Sequence, residues 1–94
     1  MSTSFTAPIK DPASILDHAM SWTAWLGDDL SIASHQVLAD SNALIISQSQ
    51  VQGGEVSWRV AGGELGRDHT VTVEITTDNG QVDQRSVTYP IRQR

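Results

Sequence analysis

Asp11–Leu30 reads DPASILDHAMSWTAWLGDDL, and the choice between strand and helix across it decides the fold. Leu16, Met20 and Trp22 share the even register, with Asp17, Ala19 and Ser21 opposite. Alternation of this kind belongs to a strand, although His18 interrupts the apolar face. Ile15, Ala19, Trp22 and Leu26 also share a helical face, so the two templates compete. A strand that gives way to a short helical turn over Trp22–Leu26 is preferred to one helix. Gly27-Asp28-Asp29 then turns the chain. The stretch carries two of the three tryptophans, and in this reading the Trp-bearing turn closes one end of a β-sandwich.

Downstream, the period of two persists. Leu30–Leu38 alternates, with Leu30, Ile32, Ser34, Gln36 and Leu38 on one side and Ser31, Ala33, His35 and Val37 on the other. Ala39–Asn42 is a turn cluster. Ala43–Gln50 sets Leu44 and Ile46 against Ile45, and Gln52-Gly53-Gly54 turns again. Glu55–Ala61 places Val56, Trp58 and Val60 inward, the clearest core strand of the middle section. Thr70–Thr77 does the same with Val71, Val73 and Ile75. Asp78-Asn79-Gly80 predicts a hairpin with a type I′ turn. The return strand Gln81–Ile91 carries Val87, Tyr89 and Ile91 inward. Val82 falls on the other parity, which predicts a bulge near Asp83–Gln84, and Pro90 marks an edge. Upstream, Met1–Ala7 is small and polar apart from Phe5. Residues 1–9 are expected as a flexible, extended arm and residues 10–94 as a single domain. Six to seven short strands with turns about every 8–12 residues predict an all-β, antiparallel, immunoglobulin-like sandwich. The Cys…Trp…Cys spacing of antibody domains is absent, so the term describes topology.

The chain has 94 residues, enough for one domain. Without cysteine it has neither disulfides nor thiolate metal sites. A net charge of −5 repels a phosphate backbone and argues against nucleic acid. No apolar run approaches the roughly 20 residues of a membrane helix. The N-terminus lacks the basic and apolar regions of a signal peptide, so a cytoplasmic site of synthesis is expected.

Residue chemistry offers little for catalysis. His18, His35 and His69 show no metal-ligand spacing, and no metal or cofactor is expected. Asp17, Asp28 and Asp29 lack the pattern of a calcium loop. No serine lies in a GxSxG elbow, and Gly53-Gly54 and Gly62-Gly63 lack the lysine of a phosphate cradle. An enzyme is therefore not expected. The tryptophans raise the alternative of a carbohydrate-binding module, because aromatic faces stack on sugar rings. Trp58 and Trp22 are assigned to the core. Trp25, in a turn, either caps the sandwich or anchors a partner.

Lys10-Asp11-Pro12, Leu16-Asp17 and Trp22-Thr23-Ala24-Trp25-Leu26 appear in that order, followed by Ile75-Thr76-Thr77-Asp78-Asn79-Gly80 and the tail Arg85–Arg94. This series resembles a family of small tailed-phage and prophage proteins over Lys10–Arg94. His18 stands where that family has an aromatic residue, and Pro90 interrupts its last strand. The resemblance implies a non-enzymatic virion protein, an adaptor joining tail or connector to fibre, with capsid decoration as the alternative. It implies virion proteins as partners and a homo-oligomer in the particle. Phe5, Trp25, Asp28, Asp29, Arg92 and Arg94 are the candidate partner-binding residues. Phe5 would seat the arm on a neighbour's sheet edge, and the two arginines would meet the acidic body of another copy.

Overall fold

A computed structural model describes residues 2–7, 9–27 and 29–93, with the backbone alone over 2–5. Seven strands and one short helix follow one another: β1 (Ser2–Thr6), β2 (Ile15–Ser21), α1 (Thr23–Leu26), β3 (Ile32–Ala39), β4 (Leu44–Gln52), β5 (Glu55–Gly62), β6 (Asp68–Thr77) and β7 (Val82–Pro90). They form two sheets, ordered β1-β7-β6-β3 and β2-β5-β4. The chain crosses between sheets at every connection except the two hairpins, β4–β5 and β6–β7. This is the immunoglobulin-like sandwich expected from the strand spacing. It differs from the constant-domain pattern in one respect, because the first strand sits beside the last. β1 pairs with β7 in parallel, Ser2 opposite Gln84 through Thr6 opposite Thr88. Ser2–Thr6, part of the stretch expected as a free arm, is thus extended but partnered.

The core comes from strict alternation. Val56, Trp58 and Val60 of β5 face Val71, Val73 and Ile75 of β6, with Val87, Tyr89 and Ile91 beside them, all buried. In β7 two details of the sequence reading change. β7 has no bulge: its register against β6 is continuous from Asp68–Pro90 to Thr76–Val82. Val82 is an outward, exposed residue, and the inward parity it leaves is filled by Asp83 and Arg85, which have partners described below. Nor is Pro90 on an edge. Ile91 donates its N–H to Arg67 O (2.8 Å), so the nitrogen of Pro90 faces the β1 side, where β1 has already ended. Its carbonyl there accepts the Lys10 N–H at 2.8 Å.

Irregularities occur elsewhere. The β3 register shifts between Ile32 and Ser34, which lets Ile32 and then Val37 and Ala39 pack on the core. Leu38 is exposed as a result. In β4 the shift lies between Ser47 and Gln50, where Gln48 takes φ +53°. The β6–β7 hairpin forms, but not with a two-residue type I′ turn. Thr77 N–H bonds Gln81 O (2.8 Å), leaving a three-residue loop Asp78-Asn79-Gly80 in which only Gly80 has positive φ.

The body measures 44 × 24 × 20 Å. Its long axis runs with the strands, since ten-residue β6 alone spans about 33 Å. One end carries α1, the Gly53-Gly54 turn and the β6–β7 hairpin. The other carries Lys10, the Asp11–Ser14 turn, the Gly62–Arg67 loop and Arg92. No helix among the described residues is long and apolar enough to cross a membrane.

Candidate functional site

At the helical end, α1 is a single turn closed by Leu26 N–H to Trp22 O (2.8 Å) and ended by Gly27 at φ +67°. Trp22 is fully buried, with its indole N–H donated to Asp83 Oδ2 at 2.8 Å. The Arg85 guanidinium lies 4.6 Å from the Trp22 ring centroid and also binds Ser21 O at 2.8 Å. Inward Asp83 and Arg85 thus replace the apolar pair that alternation would put there, and they tie β7 to the β2–α1 junction. Trp25, three residues on, turns outward and stays 39% exposed. Asp29, four residues further along the chain, is exposed, as is Asp78 of the hairpin. Asp29, Glu55, Glu74, Asp78 and Asp83 lie in this half of the body with Arg85 as their only cation among the described residues.

At the opposite end, Arg92 is held in place. Its guanidinium donates to Asp68 Oδ1 (3.1 Å), Arg67 O (3.2 Å) and Ile91 O (2.8 Å). Described cations and carboxylates nearly balance in this half: Lys10, Arg59, Arg67 and Arg92 against Asp11, Asp17, Asp40, Glu64 and Asp68. Ile15, Ala61 and Ile45 form one cross-strand row on the outer face of the three-stranded sheet here, with both isoleucines more than half exposed.

The candidate residues therefore fall into separate places. Trp25 and Asp29 are together at the helical end, and Arg92 is at the other. Phe5 lies in β1, in register with Val87 near mid-body. Asp28 and Arg94 lie outside the described residues. With Trp22 and Trp58 buried, Trp25 alone among the tryptophans is available to a ring-shaped ligand.

Three polar arrangements had no signal in the residue pattern. The first explains the Lys10-Asp11-Pro12 motif. Lys10 is fully buried, and its ammonium donates to three carbonyls: Gly62 (2.6 Å), Ser14 (2.7 Å) and Asp11 (3.0 Å). Asp11 Oδ1 accepts the Ala13 N–H (2.8 Å) and Asp11 O the Ser14 N–H (2.9 Å), a turn in which Pro12 supplies the fixed φ. Burial lowers the Lys10 pKa from its ordinary value. The second is Asp40, which accepts from Thr70 N–H (2.9 Å) and His69 Nδ1 (3.2 Å) while His69 Nε2 accepts from Glu64 N–H (3.1 Å).

The third lies on the floor of a cleft of about 520 Å³ between β2 and β1, the open side of the sandwich. Here His18 Nδ1 meets the Tyr89 hydroxyl, which also accepts the Trp58 indole N–H at 3.2 Å. Burial pushes the Tyr89 phenol up to about 12. On the outer face of β2, Asp17 receives two hydrogen bonds from Arg59 (2.8 and 3.2 Å), which hold its carboxyl below the usual range. No three His, Asp or Glu residues converge as metal ligands among the described residues.

A small immunoglobulin-like module, elongated and with its exposed charged and aromatic groups at two opposite ends, is the class this arrangement defines. Comparison with known families gives the particular one. The chain belongs to the podophage GP4 fiber-tail adaptor protein gp77 family, whose model matches residues 10–90. That family is one of phage structural adaptors, so its members are virion proteins that bind other virion proteins. No curated protein matches the chain.

Proposed function

We propose that this protein is a connector in the phage particle, with one end of the sandwich on the tail and the other on a fibre. The observation that carries this reading is the separation of its candidate contact residues along a 44 Å body. Trp25 and Asp29 present an aromatic group among carboxylates at the helical end, where the one described cation, Arg85, is paired with Asp83. The other end presents a charge-balanced surface with the Ile15–Ala61–Ile45 row. Two unlike ends suit two unlike partners. The sandwich between them is a spacer, present in several copies around the tail and acting without catalysis.

Particles assembled without the protein test this. They are expected to keep a filled head and a tail but to lack fibres by negative-stain microscopy and to lose infectivity. Intact, fibred, infectious particles would overturn the reading. Copy number separates the adaptor from capsid decoration: about a dozen copies follow tail symmetry, whereas a shell needs on the order of hundreds.

A further inference from the structure

His18 is the only polar residue on the inward face of β2, between Leu16 and Met20. Its ring stacks on Tyr89 with centroids 4.9 Å apart and planes 19° from parallel, and it meets Trp58 edge-on at 6.3 Å. Tyr89 belongs to the other sheet, so this contact spans the sandwich. The phenol is fully buried, and its oxygen already accepts the Trp58 N–H. The phenol proton must still find an acceptor, because a buried donor without one costs the full desolvation of that group. Among the described residues, His18 Nδ1 is the atom placed to take it. His18 is then neutral, with its own proton on Nε2.

A second proton on the imidazole can only go to Nδ1. Two donors, the Trp58 N–H and the His18 Nδ1–H, would then point at the phenol oxygen, and the phenol's own proton would lose its acceptor. We propose that His18 and Tyr89 form an acid-sensitive clamp between the two sheets, which opens when His18 is protonated and releases β2 from β7 at the cleft floor.

The surrounding charges do not rescue the protonated form. Asp17, the neighbour in β2, favours the imidazolium, but it sits on the outer face and is engaged by Arg59 of β5. From β7, Arg85 lines the same cleft and opposes a second cation there. Burial is the largest influence and lowers the His18 pKa from its ordinary value of 6.5. The folded state thus prefers neutral His18 more than the unfolded chain does. The clamp's stabilisation is complete above about pH 6.5 and is lost as pH falls through the folded-state value.

The test uses the full chain. Nitrogen-resolved NMR of the His18 ring at about pH 7.5 should show the proton on Nε2. The urea midpoint of the native protein should fall as the pH is taken to about 5. The variant His18→Phe should lack that part of the loss, and Tyr89→Phe should let His18 titrate closer to 6.5. Protection of the β2 and β7 amides, corrected for the slower intrinsic exchange in acid, should fall towards about pH 5 in the native protein and not in His18→Phe. An Nδ1-protonated ring at neutral pH would overturn the proposal, and that reading needs no variant to fold. An equal acid loss in His18→Phe would overturn it too, by moving the sensitivity elsewhere, for example to the Asp40–His69 pair.

Discussion

Lys10 shows how one residue can hold a junction that no apolar contact reaches. Its ammonium gathers carbonyls from the Asp11–Ser14 turn and from Gly62 of β5, and its backbone bridges to Ile91. A buried cation is costly to desolvate, and it persists here because each of its three donors has an acceptor. Replacement by methionine keeps most of the volume but strips acceptors of their donor. Asp11 O retains other partners in Ser14, whereas Ser14 O and Gly62 O each lose a bond. Lys10→Met is therefore expected to destabilise the fold by about 2–4 kcal/mol, at roughly 1–3 for each buried acceptor left unpaired. A lower urea midpoint at unchanged slope would report it. Nothing in the residue pattern announces this role. Charged side chains are ordinarily exposed, so a lone lysine before Asp-Pro gives no sign that it is the most enclosed cation among the described residues.

Strands are where the sequence is most readable, and the reason is geometric. In β5 and β6 the central inward residues (Val56, Trp58 and Val60; Val71, Val73 and Ile75) are apolar and the residues between them polar, so the period of two fixes both the element and its face. The reading loses its hold where the ladder is irregular or a polar group faces inward. The β3 bulge moves Val37 and Ala39 to the core and Leu38 to solvent, and alternation alone cannot locate such a shift. In β7 the inward pair Asp83 and Arg85 imitates a bulge, because partners across the sandwich satisfy charges that look misplaced. The hairpin before β7 is a smaller instance. Asn79-Gly80 signals a turn correctly, but Thr77 Oγ1 bonds both Asn79 Oδ1 (2.5 Å) and Gln81 N–H (3.0 Å) and draws the loop to three residues. Gly80 then sits at φ +90° with open space around it. Gly80→Val meets no neighbour and should still cost about 1–2 kcal/mol, the penalty of a left-handed backbone for a side chain with a Cβ. An unchanged denaturation midpoint would refute the turn assignment.

For the molecule as a whole, the last strand is the binding member. β7 lies between β1 and β6, and beyond its end the chain still delivers Ile91, fully buried against Gly63. On residue pattern alone the stretch past Tyr89 reads as a dispensable basic tail. A chain ending at Tyr89 is instead expected to lose about 4–9 kcal/mol, from one fully buried isoleucine side chain and the four backbone hydrogen bonds made by Pro90, Ile91 and Arg92, a large part of a typical domain's stability. A chain ending at Arg92 should unfold at nearly the native urea concentration, and equal midpoints for the two would contradict this account. The candidate contact residues were only partly legible: the pattern singled out Trp25 as the unplaced tryptophan but gave no hint that Arg92 is anchored to Asp68 at the far end. The parallel run of β1 beside β7 has one more consequence. Ser2 starts level with Gln84 near the helical end, whereas Arg92 lies at the opposite one, so the described chain begins and finishes at different poles. Electron-dense labels fused one at a time to the start and the finish of the chain would mark the two poles separately, and viewed in assembled particles they would reveal which way each subunit points.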